Sequence, residues 1–338
     1  MFMRASLNNM NQPKQVGFGR TNMSALSMSA APRISRNVTM NAVKDNHMDS
    51  EMSKTFAHGE QFVQTIGDGL DQRVEFLAVQ KYSPWHDVDP STDSPSYINC
   101  VIEIVAGTKT KYEVATKEDF NSIAPDVKDG KVRTLEYRGD GDPSKDFKFS
   151  GMPHAYGMIP RTFEDPSHKE TVPVSVIGES QEEMVEVGGD EDPIDIFVIS
   201  DRKIPMGQIK CKVIGVIHFV DDGEIDYKVI CVDADFKDID SINEMGDLKK
   251  TSAFSTAEAE IENWLKYYKS VDNDGKRLEN AEKKYGKTIA NRPTDSKEAL
   301  KVIEECRAYY DRIVNSKETQ EKKEYKKLKW TTPTKAKE

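Results

Sequence analysis

The 338-residue chain carries a net charge of −10, with 31% charged and 37% hydrophobic residues. That balance excludes a general nucleic-acid binder or a protein held to anionic membranes by charge. No apolar run approaches the roughly 18–20 residues of a spanning helix, so neither nucleic acid nor membrane is an expected partner. Cys100, Cys211, Cys231 and Cys306 are too scattered for a zinc site or a disulfide frame and read as reduced, buried thiols.

Charge is unevenly spread. Arg4, Lys14, Arg20, Arg33, Arg36 and Lys44 all precede the first acid, Asp45. Residues 1–44 are rich in Ser, Asn, Met and Ala and lack a secretory apolar core, the composition of an organelle transit peptide. The sparse arginines favour plastid over mitochondrion. The alternative is a disordered basic tail on a cytoplasmic protein. Residues 45–70 read as an N-terminal extension, 71–316 as the folded domain, and the Lys-rich 317–338 as a frayed tail.

Alternation predicts strands over 73–80, Tyr97–Val105 (with Glu103 inside an apolar run), Lys109–Ala115 and Lys131–Tyr137. In the third of these, Lys111 and Glu113 share a face. Arg133 lies on the fourth. A polar loop at 139–148, the turn-rich Gly151–Gly157 with Tyr156, and an acidic segment at 179–187 follow.

Next comes Gly188–Ser200, which places Asp190, Asp192 and Asp195 within six residues, bends at Pro193 and enters the apolar strand Ile194–Ile199. Three carboxylates so close repel one another, so either a cation neutralises them or water solvates them as an exposed turn. Oxygen ligands without His or Cys suit Mg²⁺ or Ca²⁺, not Zn²⁺. Gln208–Val220 and Ile225–Asp233 read as strands joined by an Asp222-Gly223 hairpin turn, with Asp226 and Lys228 on one face. Helices are predicted at Asp238–Met245, at 257–269 capped by Ser255 or Thr256, and from Thr294/Asp295 to Asn315. The fold class is mainly β with flanking helices.

One face of this β structure would collect Glu103, Glu113, Asp190, Asp192, Asp195, Asp221 and Asp226 beside Lys111, Arg133, Lys228, Lys269, Tyr156 and Tyr268. Many carboxylates with added cations and phenols imply several Mg²⁺ ions and a polyanion, with phosphate the obvious choice. No Walker-type phosphate loop is present, and a calcium-sensor loop fails because Asp195 and Asp201 stand where glycine and glutamate are needed.

Asp190-Glu-Asp192-Pro-Ile-Asp195 resembles the D-x-D-P-x-D signature of the soluble, Mg²⁺-dependent inorganic pyrophosphatases of eukaryotic type. Ile102-Glu103-Ile104, Lys111-Tyr-Glu113, Gly130-Lys-Val-Arg133, Tyr156–Asp165, Asp221–Lys228 and Trp264–Lys269 fall in that family's order. The resemblance covers about residues 70–316. It implies an OB-like five-stranded closed β-barrel with C-terminal helices packed against it, and hydrolysis of pyrophosphate to two phosphates. Asp190, Asp195 and Asp226 would hold the first Mg²⁺, with Asp195 shared with a second. Asp192 would take the proton of a nucleophile bridging them. Asp221 with Asp226, and Glu113, would hold further ions, and Glu103 would support the shell. Lys111, Arg133, Tyr156, Lys228, Tyr268 and Lys269 would bind the phosphoryl groups, Tyr156 and Arg133 acting with Asp192 in catalysis. Mn²⁺ is an alternative cation, and a homodimer is implied. Met152 departs from the family tyrosine, and 139–148 and 179–187 read as insertions flanking the site. Two alternatives stand beside this reading: a hydrolase of organic di- or polyphosphates, and a non-catalytic scaffold.

Overall fold

The computed structural model describes residues 82–331, except Asp129, residues 138–147 and Asn273, together with the strands Gln61–Ile66 and Arg73–Ala78. Residues 1–44, most of the 45–70 extension and most of the 139–148 loop lie outside the described residues. The chain divides into two compact units, residues 1–79 and 80–338. In the first, Gln61–Ile66 and Arg73–Ala78 pair antiparallel, Gln61 opposite Ala78.

The second unit holds ten principal strands: β1 (Tyr97–Ile104), β2 (Ala155–Met158), β3 (Glu170–Val176), β4 (Glu182–Gly189), β5 (Asp195–Ile199), β6 (Gly207–Ile217), β7 (Phe219–Asp221), β8 (Glu224–Ile225), β9 (Lys228–Asp233) and β10 (Lys287–Ile289). Two of its helices are long, α1 (Ala257–Tyr267) and α2 (Ser296–Val314). The strands close into two barrels, β2-β5-β9-β6-β1 and β3-β4-β8-β7-β10. The first is the expected five-stranded barrel.

Strands of the first barrel are apolar on both faces because both faces are covered. Ile196 and Val198 pack with Ala299, Val302, Ile303 and Cys306 of α2. Their neighbours Phe197 and Ile199 pack with Ala257, Ile261, Trp264 and Leu265 of α1. Gly157 permits the close approach of β2 to β1, since a Cβ there would lie 1.9 Å from the Val101 carbonyl oxygen. Ala299, Val302, Ile303, Cys306, Tyr310 and Ile313 of α2 are buried, and Asp295 caps the helix by accepting the Glu298 N–H at 2.8 Å.

Several elements differ from expectation. The single strand Gln208–Val220 breaks at His218, where the chain leaves the first barrel for the second. The predicted turn is present: Asp222 and Gly223 take φ of 49° and 93° between β7 and β8, the left-handed pair that favours Asp-Gly. Lys131–Tyr137 is two short ladders, Lys131–Val132 and Glu136–Tyr137, around Arg133. The helix predicted at Asp238–Met245 is a 3₁₀ turn at Ile239–Ser241 and a helical turn at Met245–Leu248, because the Asp247 carboxylate accepts the N–H groups of Asn243 and Glu244 and starts the helix there. Thr256 does not cap α1 through its side chain. Its φ and ψ, −102° and −9°, are not the extended backbone a cap needs, and its hydroxyl bonds Glu260 instead. The acidic segment 179–187 is mostly β4, a barrel strand with carboxylates turned to solvent.

The frayed C-terminal tail is also corrected. Tyr325, Leu328 and Trp330 are buried against Trp85, Phe163, Tyr310 and Ile313. His86 bridges the Tyr310 hydroxyl and the Lys329 carbonyl at 2.7 and 2.6 Å, and the Lys329 N–H donates to Thr116. Trp330→Ala should therefore cost about 3–5 kcal/mol in urea unfolding of the purified chain. An unchanged transition midpoint would contradict the packing.

Candidate active site

Two parallel pairings build the site. In the second barrel Gly189 of β4 lies opposite Ile225 of β8, so the residues that follow each, Asp190 and Asp226, emerge side by side. In the first barrel Asp195 of β5 lies opposite Lys228 of β9. The turn from Asp190 to Asp195 and the link from Asp226 to Lys228 thus cross between barrels together. The turn is fixed locally: Asp190 Oδ1 accepts the Asp192 N–H at 3.0 Å, Glu191 takes φ 73°, and the Ile194 N–H donates to Thr162 Oγ1 at 3.0 Å.

Of the thirteen residues singled out from the sequence, twelve line one cavity of about 210 Å³. Lys228 does not line it. Its ammonium is buried and bonds Asp226 and, at 2.6 Å, Asp195. Burial alone would push the ammonium down, but Asp195 and Asp226 hold its pKa well above the ordinary value. Asp195 also accepts the Tyr156 hydroxyl.

Several carboxyl groups of the site are pushed up in pKa. Burial, then Asp226 and Asp192, raises Asp190 well above the carboxylate range. Burial raises Asp226 against the pull of Lys228. Burial and Asp195 raise Glu103, whose Oε1 accepts the Val114 N–H at 2.7 Å. Asp192 reaches solvent at the cavity floor, but the enclosing protein and Glu113 push it to about 7. Thr116 Oγ1 donates to it at 3.3 Å.

The cavity lining also holds cationic and aromatic groups. Lys111 Nζ lies 2.7 Å from Glu113 and 3.2 Å from Asp126, confirming their shared face, and Arg133 joins Asp126 at 3.2 Å. Arg133 also lies over the Tyr268 ring at 5.6 Å. That ring stacks on Trp264 at 4.2 Å, and its hydroxyl donates to Asp221, which Lys269 also pairs. Met152 is buried in the cavity lining, so no phenol is contributed there.

Sequence reasoning missed four residues. Asp126 holds Lys111 and Arg133 in place, Trp264 and Glu224 line the cavity, and Glu164 sits against Asp190 and Asp226. Oxygen atoms of Glu164, Asp190 and Asp226 all lie within 4.8 Å of one another. Burial, then Asp190 and Asp226, pushes Glu164 well up, and its Oε2 is sealed from solvent without a hydrogen-bond partner. An all-oxygen set with an unsatisfied buried carboxylate oxygen fits a hard divalent cation.

A family model described as inorganic pyrophosphatase matches residues 100–311. The chain is 31% identical over 250 residues to the soluble inorganic pyrophosphatase 6, chloroplastic, of Arabidopsis thaliana, covering 73% of this chain and 72% of that one. It is 30% identical over 254 residues to the inorganic pyrophosphatase of Bos taurus, covering 73% and 76%. The structure resembles that of the inorganic pyrophosphatase from Schistosoma japonicum with a TM-score of 0.54 and 25% identity, over 76% of this chain and 82% of that one. The two-barrel frame, the acidic turn and these matches agree: the chain belongs to the inorganic pyrophosphatase family.

Proposed function

We propose that this cavity hydrolyses inorganic pyrophosphate to two phosphates, with Asp192 accepting the proton of the attacking water and Mg²⁺ held by Asp190, Asp195 and Asp226. The observation that carries the reading is the convergence on one small cavity of the carboxylates Glu113, Asp190, Asp192, Asp195, Asp221 and Asp226 with Lys111, Arg133, Lys269 and Tyr268. Such a cavity suits a compact polyanion that arrives with cations. Asp221 and Glu113 would hold further ions, and Glu103, rigid against Val114, would support the set. When bound, the cations neutralise the carboxylates, lower the pKa of water at the site and screen the diphosphate. Mn²⁺, with the same preference for oxygen, is the alternative ion.

The chain's own groups divide the remaining work. Asp192, pushed up to about 7 in the metal-free site by burial and Glu113, is the carboxylate placed to take the water's proton. The water oxygen bonds to one phosphorus as the bridging P–O bond breaks, and the departing phosphate carries the electron pair. Lys111, Arg133 and Lys269 face that growing charge. Tyr156 holds Asp195 in place through its hydroxyl. Asp126 keeps Lys111 and Arg133 aimed into the cavity.

An organellar location, plastid before mitochondrion, is supported by the acid-free basic segment 1–44 and by the chloroplastic name of one relative. N-terminal sequencing of the native protein should find a start between Arg36 and Lys44. Met1 would contradict the transit reading.

The purified chain should release phosphate from pyrophosphate only with Mg²⁺ present and should leave ATP nearly untouched. Asp192→Asn should lower turnover by about 10²–10⁴-fold. Undiminished turnover in that variant would remove Asp192 as the proton acceptor, and equal turnover of ATP would shift the reading to organic polyphosphates.

A further inference from the structure

Glu164 belongs to the short segment that leads from β2 toward β3, near the end of the Tyr156–Asp165 stretch. In the structure it is fully withdrawn from solvent, at 2% exposure. Its backbone is stapled to the acidic turn: the Glu164 N–H donates to the Asp192 carbonyl at 2.9 Å, and the Glu191 N–H donates to the Glu164 carbonyl at 3.1 Å. Gly189 allows this approach, because a Cβ there would lie 2.2 Å from the Glu164 carbonyl carbon. The fold therefore brings a third carboxyl group against Asp190 and Asp226 by two hydrogen bonds and one close glycine contact.

The side chain is also aimed. Oε1 accepts the Tyr227 N–H at 2.7 Å, which sets the plane of the carboxylate. Oε2 is buried with no hydrogen-bond partner, and a carboxylate oxygen of Glu164 lies within 4.8 Å of oxygens of both Asp190 and Asp226. Lys228, whose charge acts on Glu164, is committed to Asp195 and Asp226. Asp195 is itself committed to Lys228 and the Tyr156 hydroxyl. A sealed, unpartnered carboxylate oxygen is costly unless a positive partner reaches it. Glu164, Asp190 and Asp226 converge on one point from three segments, the arrangement a hard cation needs.

We infer that Glu164 is a further carboxylate ligand of the divalent-cation centre, closing with Asp190 and Asp226 a three-sided oxygen set. The inference rests on the proposed metal-dependent reading of the cavity and adds a residue to it. Glu164 holds the ion from the side of β3, and Tyr227 keeps its carboxylate from rotating away. The competing use of the same oxygen is a proton shared with Asp190, which would leave cation affinity independent of Glu164.

The test is Mn²⁺ binding to the purified, substrate-free chain, read by calorimetry and by electron paramagnetic resonance. Glu164→Gln keeps an amide oxygen for the Tyr227 N–H but removes the charge. The affinity of the tightest site should fall at least tenfold, and Glu164→Asp should recover part of it. Should Glu164→Gln not fold, Glu164→Asp carries the comparison, since retracting the carboxylate by one methylene weakens a ligand and leaves a proton-sharing role without effect on Mn²⁺. Wild-type affinity in the folded variant overturns the inference. Asp226→Asn separates the two levels: weakened binding there with wild-type binding in Glu164→Gln rejects Glu164 alone, while wild-type binding in both rejects the metal centre itself.

Discussion

Like charges packed where water cannot screen them set the terms for this molecule. Glu103, Glu164 and Asp226 are buried and Asp190 is half-buried, while the buried ammonium of Lys228 pairs with Asp195 and Asp226. Burial opposes the charge on every one of them. Lys228 keeps its proton only because Asp195 and Asp226 are beside it, and those carboxylates are tolerable only because Lys228 is beside them. One cation cannot balance this many acids, so the site has a built-in demand for more positive charge. Divalent cations would meet that demand, and a polyanion would then find both metal and cationic side chains in one cavity.

The architecture exists in large part to keep those charges from separating. The Asp190–Asp195 turn and the Asp226–Lys228 link cross between barrels side by side, each anchored at both ends by strand pairing. Neither crossing can relax without breaking register in a barrel whose strands are buried on both faces. The C-terminal segment adds a latch. Tyr325 donates to Asp165 at 2.7 Å, Lys327 reaches Glu191 at 2.6 Å, and Lys329 holds the Thr116 carbonyl. Thr116 in turn touches Asp192. The Lys327–Glu191 pair is half exposed and contributes little by itself. The aromatic packing of Tyr325 and Trp330 is what holds the latch shut.

How much of this was legible in the sequence follows from how local each signal is. Asp190, Asp192 and Asp195 declare themselves because three acids in six residues beside an apolar strand have few explanations. The Asp222-Gly223 turn is readable because only residues at ease with positive φ fit it. Lys111 and Glu113 share a face by strand alternation alone. Glu164 and Asp126 were not legible, since a carboxylate in a polar turn looks the same whether it faces solvent or a buried acid. Tyr325, Leu328 and Trp330 are diluted among lysines, so composition suggested fraying where the fold supplies an aromatic pocket around Trp85. The break at His218 was hidden because an apolar run continues across it while the chain changes barrels. In each case the missing information was the identity of a partner distant in sequence.

The most direct measurement is calorimetric melting of the chain, metal-free and with saturating Mg²⁺, between pH 5.5 and 8. Carboxyl groups near 4 in the unfolded chain titrate higher when folded, about 7 for Asp192. Such groups stabilise the fold fully below their unfolded values and lose that contribution as pH rises through their folded ones. The metal-free protein should therefore lose the carboxyl contribution across this range, while Mg²⁺ replaces the departing protons. The buried His86, His154 and His218, pushed down by desolvation, act in both forms and cancel in the difference. The gap in melting temperature between the two forms should widen by several degrees from pH 5.5 to 8. A gap that is absent, or that stays constant across the range, would contradict a fold built around carboxylates that cations must neutralise.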